Sequence, residues 1–165
     1  MLAQQPAKTR REEDLYAWLL EQAEALKGSE RRRVNHPSFI DWSGLAEEIE
    51  ELSIHLEHSL ESYLEVLLIH LLKWRYQPKK RNRRWQASID NSRDHAQELL
   101  MRSPSLRTKL LELGEAAYRR ARREAGAQMG YEKAEWNKRL PESCPWSMED
   151  ILNDDFLPAP ANGSK

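Results

Sequence analysis

The chain has 165 residues, and its 26 basic and 27 acidic side chains leave a formal net charge of −1. A nearly neutral molecule has no long-range field that attracts nucleic acid or an anionic membrane, so only a local patch can serve either purpose. The one cysteine excludes an intramolecular disulfide, and the sequence has neither a signal-peptide pattern nor an apolar run of about 18 residues. We therefore expect a protein of the reducing cytoplasm without a membrane partner.

Composition predicts a single helical domain over residues 12–157, flanked by flexible tails at 1–11 and 158–165. The first tail has no hydrophobic periodicity, and the second is rich in Pro, Ala, Gly and Ser. A domain of this size can bury a modest core.

The first predicted helix runs from about Glu12 to Lys27, where apolar residues recur at helical spacing, and Gly28 is a suitable stop. Residues 29–40 contain three consecutive arginines and a proline. This composition predicts a loop whose charges are solvated.

The second predicted helix, from about Trp42 to Arg75, is the longest. Asp41 is its expected cap, and Pro78 should end it near Tyr76. One apolar stripe runs along its length, and in its second half apolar residues fill the other faces too, which predicts that neighbouring helices surround that half. The stripe consists of Leu45, Ile49, Leu52, Leu56, Leu60, Tyr63, Leu67, Leu71 and Trp74.

Two more long helices and one short helix follow. A third helix is predicted from about Arg83 to Arg102, and Ser103 with Pro104 should start the fourth. Four arginines between 119 and 123 are expected near the end of the fourth helix, where cations favour the helix dipole, before Gly126 or Gly130 closes it. A capping box at Ser147 predicts a short C-terminal helix. The fold class is therefore all-α, a bundle of four main helices with one long central helix and a short C-terminal helix.

Several segments between residues 14 and 158 carry a recognisable family pattern. They are DLYAWLLEQA (14–23), DWSGLAEEIEEL (41–52), LLIHLLKWRYQP (67–78), SPSL (103–106) and CPWSMEDILNDDFLP (144–158), with Trp85, Tyr118 and Ala121 between them. In this order they resemble the bacterial and cyanobacterial family known as domain of unknown function 29. The resemblance implies an all-α domain from a prokaryotic cytoplasm, and the family brings no assigned activity, cofactor or catalytic residue.

The first candidate site is the series Glu47, Glu48, Glu51, His55 and His58 on the long helix. Helix-borne Glu and His bind metals, but di-iron bundles use Glu-x-x-His pairs from several helices, and this spacing is not met here. Glu51, His55 and His58 are weak metal candidates, and a solvated face is the simpler interpretation. We expect no metal or other cofactor.

The second candidate is His70, in the most apolar part of the long helix. Burial and nearby charges can tune a histidine for acid–base chemistry. The simpler interpretation is a histidine that donates a hydrogen bond to a neighbouring group. Cys144 has no adjacent histidine and is better explained as a packing residue than as a nucleophile.

The third candidate is a basic turn over residues 73–85, in which Lys and Arg alternate with Trp74, Tyr76 and Trp85. Cations beside aromatic rings suit single-stranded nucleic acid. Alternatively, the rings pack inward while the cations remain in water. The expected interaction surface, formed by the most exposed cations, is Lys79, Arg81, Arg83 and Arg84.

These patterns favour a non-enzymatic protein-interaction module, with a protein partner or self-association. The alternatives are a nucleic-acid-binding protein that uses residues 73–85 and a small metal-dependent or acid–base enzyme centred on His70. No pattern in the sequence requires catalysis.

Overall fold

The computed structural model describes residues 7–31 and 39–161, with side chains from 10 to 28 and from 39 onward. The predicted all-α class, with four main helices, a long central one and a short C-terminal one, is confirmed for these residues, which form no strand. Two 3₁₀ segments lie at Pro78–Lys80 and Pro104–Lys109. The helices are α1 Ala7–Glu13, α2 Leu15–Arg31, α3 Trp42–Tyr76, α4 Arg83–Arg102, α5 Leu110–Gln128, α6 Lys133–Arg139 and α7 Met148–Ile151.

The chain divides into two compact units. The first unit takes residues 1–58 and 99–108, and the second unit takes 59–98 and 109–165. Three segments, namely α3, α4 and the second 3₁₀ segment, contribute to both. The single domain predicted for residues 12–157 stays a prediction.

The start of the chain differs from the prediction. Helical structure already begins at Ala7, inside the predicted tail, and breaks at Asp14 between α1 and α2. One carboxylate oxygen of Asp14 accepts a hydrogen bond from the Ala17 N–H at 3.0 Å, which caps α2, and the other accepts one from the Ser105 N–H at 2.7 Å. Gly28 lies within α2 rather than after it. The arginine run 31–33 lies largely outside the described side chains.

The bounds of α3 confirm the prediction. Asp41 caps the helix, because its Oδ1 accepts a hydrogen bond from the Gly44 N–H at 2.9 Å. The helix ends at Tyr76, two residues before Pro78. Local capping chemistry and proline geometry suffice to fix both ends.

The apolar stripe of α3 is covered unevenly. Within the second unit, Leu64, Leu67, Leu68, Leu71 and Leu72 are fully buried, as predicted for a surrounded helix, and Val66 is an exception at 41% exposure.

In the first unit, Leu45 and Leu52 are 46% and 52% exposed, so this part of the apolar stripe is only partly covered. The reason is that α2 packs beside the stripe. Its Tyr16 hydroxyl donates to Glu57, and its Lys27 Nζ lies 2.7 Å from a carboxylate oxygen of Glu50.

The most buried charged side chain in the second unit is Arg93 of α4, at 1% exposure. Its guanidinium donates hydrogen bonds to the backbone carbonyls of Ile151, Asp154 and Phe156 at 3.0, 3.1 and 2.9 Å. These bonds attach the segment around α7 to α4. The predicted capping box of α7 is confirmed, with the Ser147 Oγ accepting a hydrogen bond from the Asp150 N–H.

One prediction for α5 is wrong, and its predicted stop at Gly130 is confirmed. Its last turn contains no basic residue, so the dipole explanation for the arginines is wrong. Instead, Arg120 contacts Glu61 and Glu65 at 2.8 and 2.6 Å, and Arg122 donates to the Leu140 carbonyl at 2.9 Å. The helix ends before Gly130, whose φ is +81°, whereas Gly126 is a buried residue inside the helix.

The C-terminal segment contacts the basic end of α3. Pro158 is buried, and the Ala161 N–H donates a hydrogen bond to the Arg75 carbonyl at 3.0 Å. The flexible tail predicted for residues 158–165 stays a prediction, and residues 162–165 lie outside the described residues. In the described part of the chain, no helix combines the length and the apolar character needed to cross a membrane.

We predict that Arg93→Lys lowers the free energy of unfolding by about 3 kcal/mol, because one ammonium group cannot reach three carbonyls and leaves buried acceptors unpaired. Urea denaturation measures the loss. Arg84→Lys, at an exposed position of the same helix, serves as the control and should change stability by less than about 0.5 kcal/mol. Equal effects of the two substitutions would contradict the role assigned to Arg93.

Candidate functional site

The basic turn, residues 73–85, joins the end of α3 to the start of α4 and lies entirely in the second unit. Pro78 starts a 3₁₀ segment immediately after α3. Asn82 then caps α4, because its Oδ1 accepts a hydrogen bond from the Trp85 N–H at 3.0 Å, and its amide donates to the Lys80 carbonyl at 3.0 Å. The backbone of the turn is therefore held by its own side chains.

Two cations of the turn lie over its tryptophan rings. The Lys73 Nζ lies 4.6 Å from the centroid of the Trp85 ring, and it also donates to the Gln128 side chain at 2.8 Å. The Arg81 guanidinium lies 4.8 Å from the centroid of the Trp74 ring, and its Nε donates to the Trp74 carbonyl at 2.9 Å. Both contacts are cation–π interactions that connect α3 to the turn or to α4.

These contacts change the expected interaction surface. Arg81, predicted among the most exposed cations, is partly buried and held by Trp74, so that expectation is wrong for Arg81. The exposed cations of the turn are Lys79, Lys80, Arg83 and Arg84. None of these four forms an ion pair with a residue in the described part of the chain.

Arg83 and Arg84 occupy the first turn of α4, which contains no acidic residue. The helix dipole places a partial positive charge at this end, so anionic side chains are stabilising there and cations are not. With Lys79 and Lys80 close by in sequence, the turn concentrates positive charge at a position that is unfavourable for folding.

His70 lies on α3, three residues before Lys73, and is partly exposed. Its Nδ1 lies 2.8 Å from the Val66 carbonyl, so Nδ1 carries the proton and donates within the same helix. Burial lowers the pKa of His70, and the Lys73 ammonium lowers it further, while the Val66 hydrogen bond opposes the shift. The imidazole is therefore neutral near pH 7.

The remaining candidates do not form a reactive cluster among the described residues. Glu51, His55 and His58 are exposed, and no group of three or more His, Cys, Asp or Glu side chains in the described ranges is placed to hold a metal. Burial raises the pKa of the Cys144 thiol, which keeps it protonated and weakly nucleophilic. Burial also raises the pKa of Tyr118, whose hydroxyl donates to the Pro141 carbonyl at 2.8 Å.

Sequence reasoning missed the residues that support this site. Arg93 is spaced four residues from Ile89 and seven from Leu100, and so lies on the apolar stripe of α4. An arginine on such a stripe signals a buried, hydrogen-bonded role, but its partners cannot be identified from spacing. The Arg75 carbonyl, at the start of the basic turn, accepts a hydrogen bond from the Ala161 N–H. The two residues are too far apart in the sequence for a local pattern to predict this contact.

Fold and site together define an all-α protein with a preformed basic turn. The model of the family described as Domain of unknown function DUF29 matches residues 11–157. The chain belongs to this family, and the resemblance seen in the sequence is confirmed.

One solved structure resembles this chain closely in fold. It is the crystal structure of an alpha-helical protein of unknown function from Rhodospirillum rubrum ATCC 11170, with 22% sequence identity and a TM-score of 0.70 over 88% of this chain and 90% of that one. At this identity the similarity supports the fold alone. A search of the curated proteins found no match.

We predict that replacing Arg83 and Arg84 together by Glu raises the free energy of unfolding by about 1 kcal/mol, because anions favour the first turn of a helix. Thermal unfolding should show a rise in Tm of a few degrees. Arg119→Glu with Arg123→Glu, within α5, makes the same charge change away from a helix start and should give no rise. A lower Tm for the Arg83 and Arg84 variant would contradict the electrostatic interpretation.

We predict that NMR titration of the His70 imidazole gives a midpoint below the ordinary value of about 6.5, and that Lys73→Gln moves this pKa upward. Because the folded pKa is depressed, the unfolded chain binds a proton first as pH falls below about 6.5, so stability decreases over that range. His70→Gln should therefore lose less stability than the wild type between about pH 7 and 5. A titration midpoint above the ordinary histidine pKa of about 6.5 would contradict the burial assigned to His70.

Proposed function

We propose that this protein is a non-enzymatic interaction module and that its basic turn binds an acidic segment of a partner protein. The observation that supports this most is the set of four exposed cations, Lys79, Lys80, Arg83 and Arg84, which have no ion-pair partner among the described residues. Carboxylates of a partner would neutralise them and would also complement the start of α4.

The state of the aromatic rings favours a protein partner over single-stranded nucleic acid. Base stacking requires an accessible ring face. In this turn, Arg81 and Lys73 already lie over Trp74 and Trp85, and both rings are partly buried. The ring faces under these cations are closed to an incoming base, whereas a carboxylate can reach the exposed cations without displacing them.

The enzymatic alternative has less support. The Nδ1 of His70 donates to the Val66 carbonyl, and the charged group that shifts the pKa of the imidazole is the Lys73 ammonium rather than a carboxylate that could orient it. The raised pKa values of Cys144 and Tyr118 keep both groups protonated. The described residues therefore support binding through charge better than they support catalysis. We propose that this binding takes place in the cytoplasm.

The test measures binding of a fluorescent oligoglutamate peptide to the full chain by anisotropy at several salt concentrations. We predict salt-dependent binding that weakens by at least about tenfold when Lys79, Lys80, Arg83 and Arg84 are all replaced by Glu. The control replaces four other exposed cations, Arg107, Arg119, Lys133 and Lys138, by Glu and so changes net charge equally. The affinity of this control variant for the peptide should stay within about threefold of the wild-type affinity.

Two results would overturn the proposal. Equal losses in the two variants would show that net charge, not the turn, controls binding. Tighter binding of a single-stranded oligonucleotide of the same charge, lost only in the turn variant, would establish the nucleic-acid alternative instead.

A further inference from the structure

A second surface, separate from the basic turn, lies on the first part of α3 within the first unit. Leu45, Ile49, Leu52 and Leu56 follow one another at intervals of four, three and four residues. This is the spacing by which helices pair along an apolar seam. Leu45 and Leu52 remain 46% and 52% exposed, which leaves one edge of the seam uncovered.

The position of α2 explains why this edge is open. Ala46 and Ser53 are buried, and Glu50 and Glu57 on the same side are bound by Lys27 and Tyr16 of α2. In a helix, this side is turned well away from Leu45 and Leu52. The helix that covers one flank of the seam therefore does not reach the other.

The open flank is acidic. Glu48 is three residues from Leu45 and four from Leu52, so it adjoins both exposed leucines, and Glu51 adjoins Glu48 in the same way. Both glutamates are exposed and form no ion pair with a residue in the described ranges. Moreover, α3 contains no Lys or Arg before Lys73.

We infer that this α3 face, defined by Leu45, Leu52, Glu48 and Glu51, binds a basic amphipathic helix of another protein. The apolar side of such a helix covers the two leucines, and its Lys or Arg side chains neutralise the two glutamates. A second copy of this chain fits less well, because symmetric pairing of the same seam brings like-charged glutamates together. The inference is independent of the basic turn, which carries the opposite charge.

The test uses two fluorescent peptides of identical leucine and lysine composition, one with leucines at helical spacing and one scrambled. The full chain should bind the amphipathic peptide at least about tenfold more tightly than the scrambled one. Leu45→Gln with Leu52→Gln should abolish this preference. Met101→Gln with Leu111→Gln, at positions 73% and 67% exposed, should retain it.

The charge contribution has its own pair of variants. Glu48→Gln with Glu51→Gln should weaken binding and reduce its salt dependence, whereas Glu98→Gln with Glu115→Gln, both at exposed positions, should do neither. Thermal unfolding confirms that each variant is folded.

Three outcomes would overturn the inference. They are equal affinity for the two peptides, equal losses in the paired control variants, and a dimer in sedimentation velocity that dissociates on Leu45→Gln with Leu52→Gln. The last of these would identify a second copy of the chain as the occupant of the α3 face.

Discussion

The second unit depends on a buried guanidinium that is held by backbone carbonyls rather than by a carboxylate. Arg93 donates to three carbonyls of the segment 151–156, in which only Ile151, the last residue of α7, is helical. Burial lowers the pKa of Arg93, yet arginine remains protonated in proteins, so the charge persists. The carbonyl dipoles and the nearby carboxylates of Asp90, Asp154 and Asp94 stabilise it. The same segment continues to Ala161, which donates to Arg75 at the start of the basic turn.

Within the basic turn, the cations fall into two groups with different physical roles. Lys73 and Arg81 are partly buried, lie over tryptophan rings and donate hydrogen bonds, so they stabilise the turn. Lys79, Lys80, Arg83 and Arg84 are exposed, and Arg83 and Arg84 oppose the dipole of α4 in its first turn. A rigid turn that holds unneutralised charge loses little conformational entropy when it binds a partner of opposite charge.

The net charge of −1 conceals a strong segregation of charge along the sequence. The first thirty-one residues of α3 contain glutamates and no Lys or Arg, whereas the segment from Lys73 to Arg84 contains basic residues and no Asp or Glu. Some of the glutamates are neutralised inside their own unit, as Glu61 and Glu65 are by Arg120. The charges to which we assign partners, Glu48 and Glu51 on one segment and Lys79, Lys80, Arg83 and Arg84 on the other, form no ion pair with a described residue.

The sequence predicted helix ends best where their cause is local. Asp41, Pro78 and the Ser147–Asp150 capping box each start or end a helix through backbone groups no more than four residues away. The structure has these helix ends as predicted. The break at Asp14 and the role of Arg93 were missed because their partners lie 91 and more than 50 residues away along the chain.

Exposure was predicted less well than helical structure, for a related reason. Periodicity identifies which residues share a face of a helix, as it did for Leu45 and Leu52, but not whether a neighbouring helix covers that face. The candidate site shows the same limit. Its cations were evident from composition, whereas the contact of Arg81 with Trp74 depends on the path of the backbone through the 3₁₀ segment.

The most direct test of the central claim is an NMR titration of the isotope-labelled full chain with oligoglutamate, following every assigned backbone amide. If the basic turn is the binding surface, saturable shifts should concentrate on residues 79–85, with smaller changes at Lys73 and Trp74, which support the turn. Shifts that spread evenly over exposed cations such as Arg107, Arg119 and Lys138, and that spare residues 79–85, would contradict it.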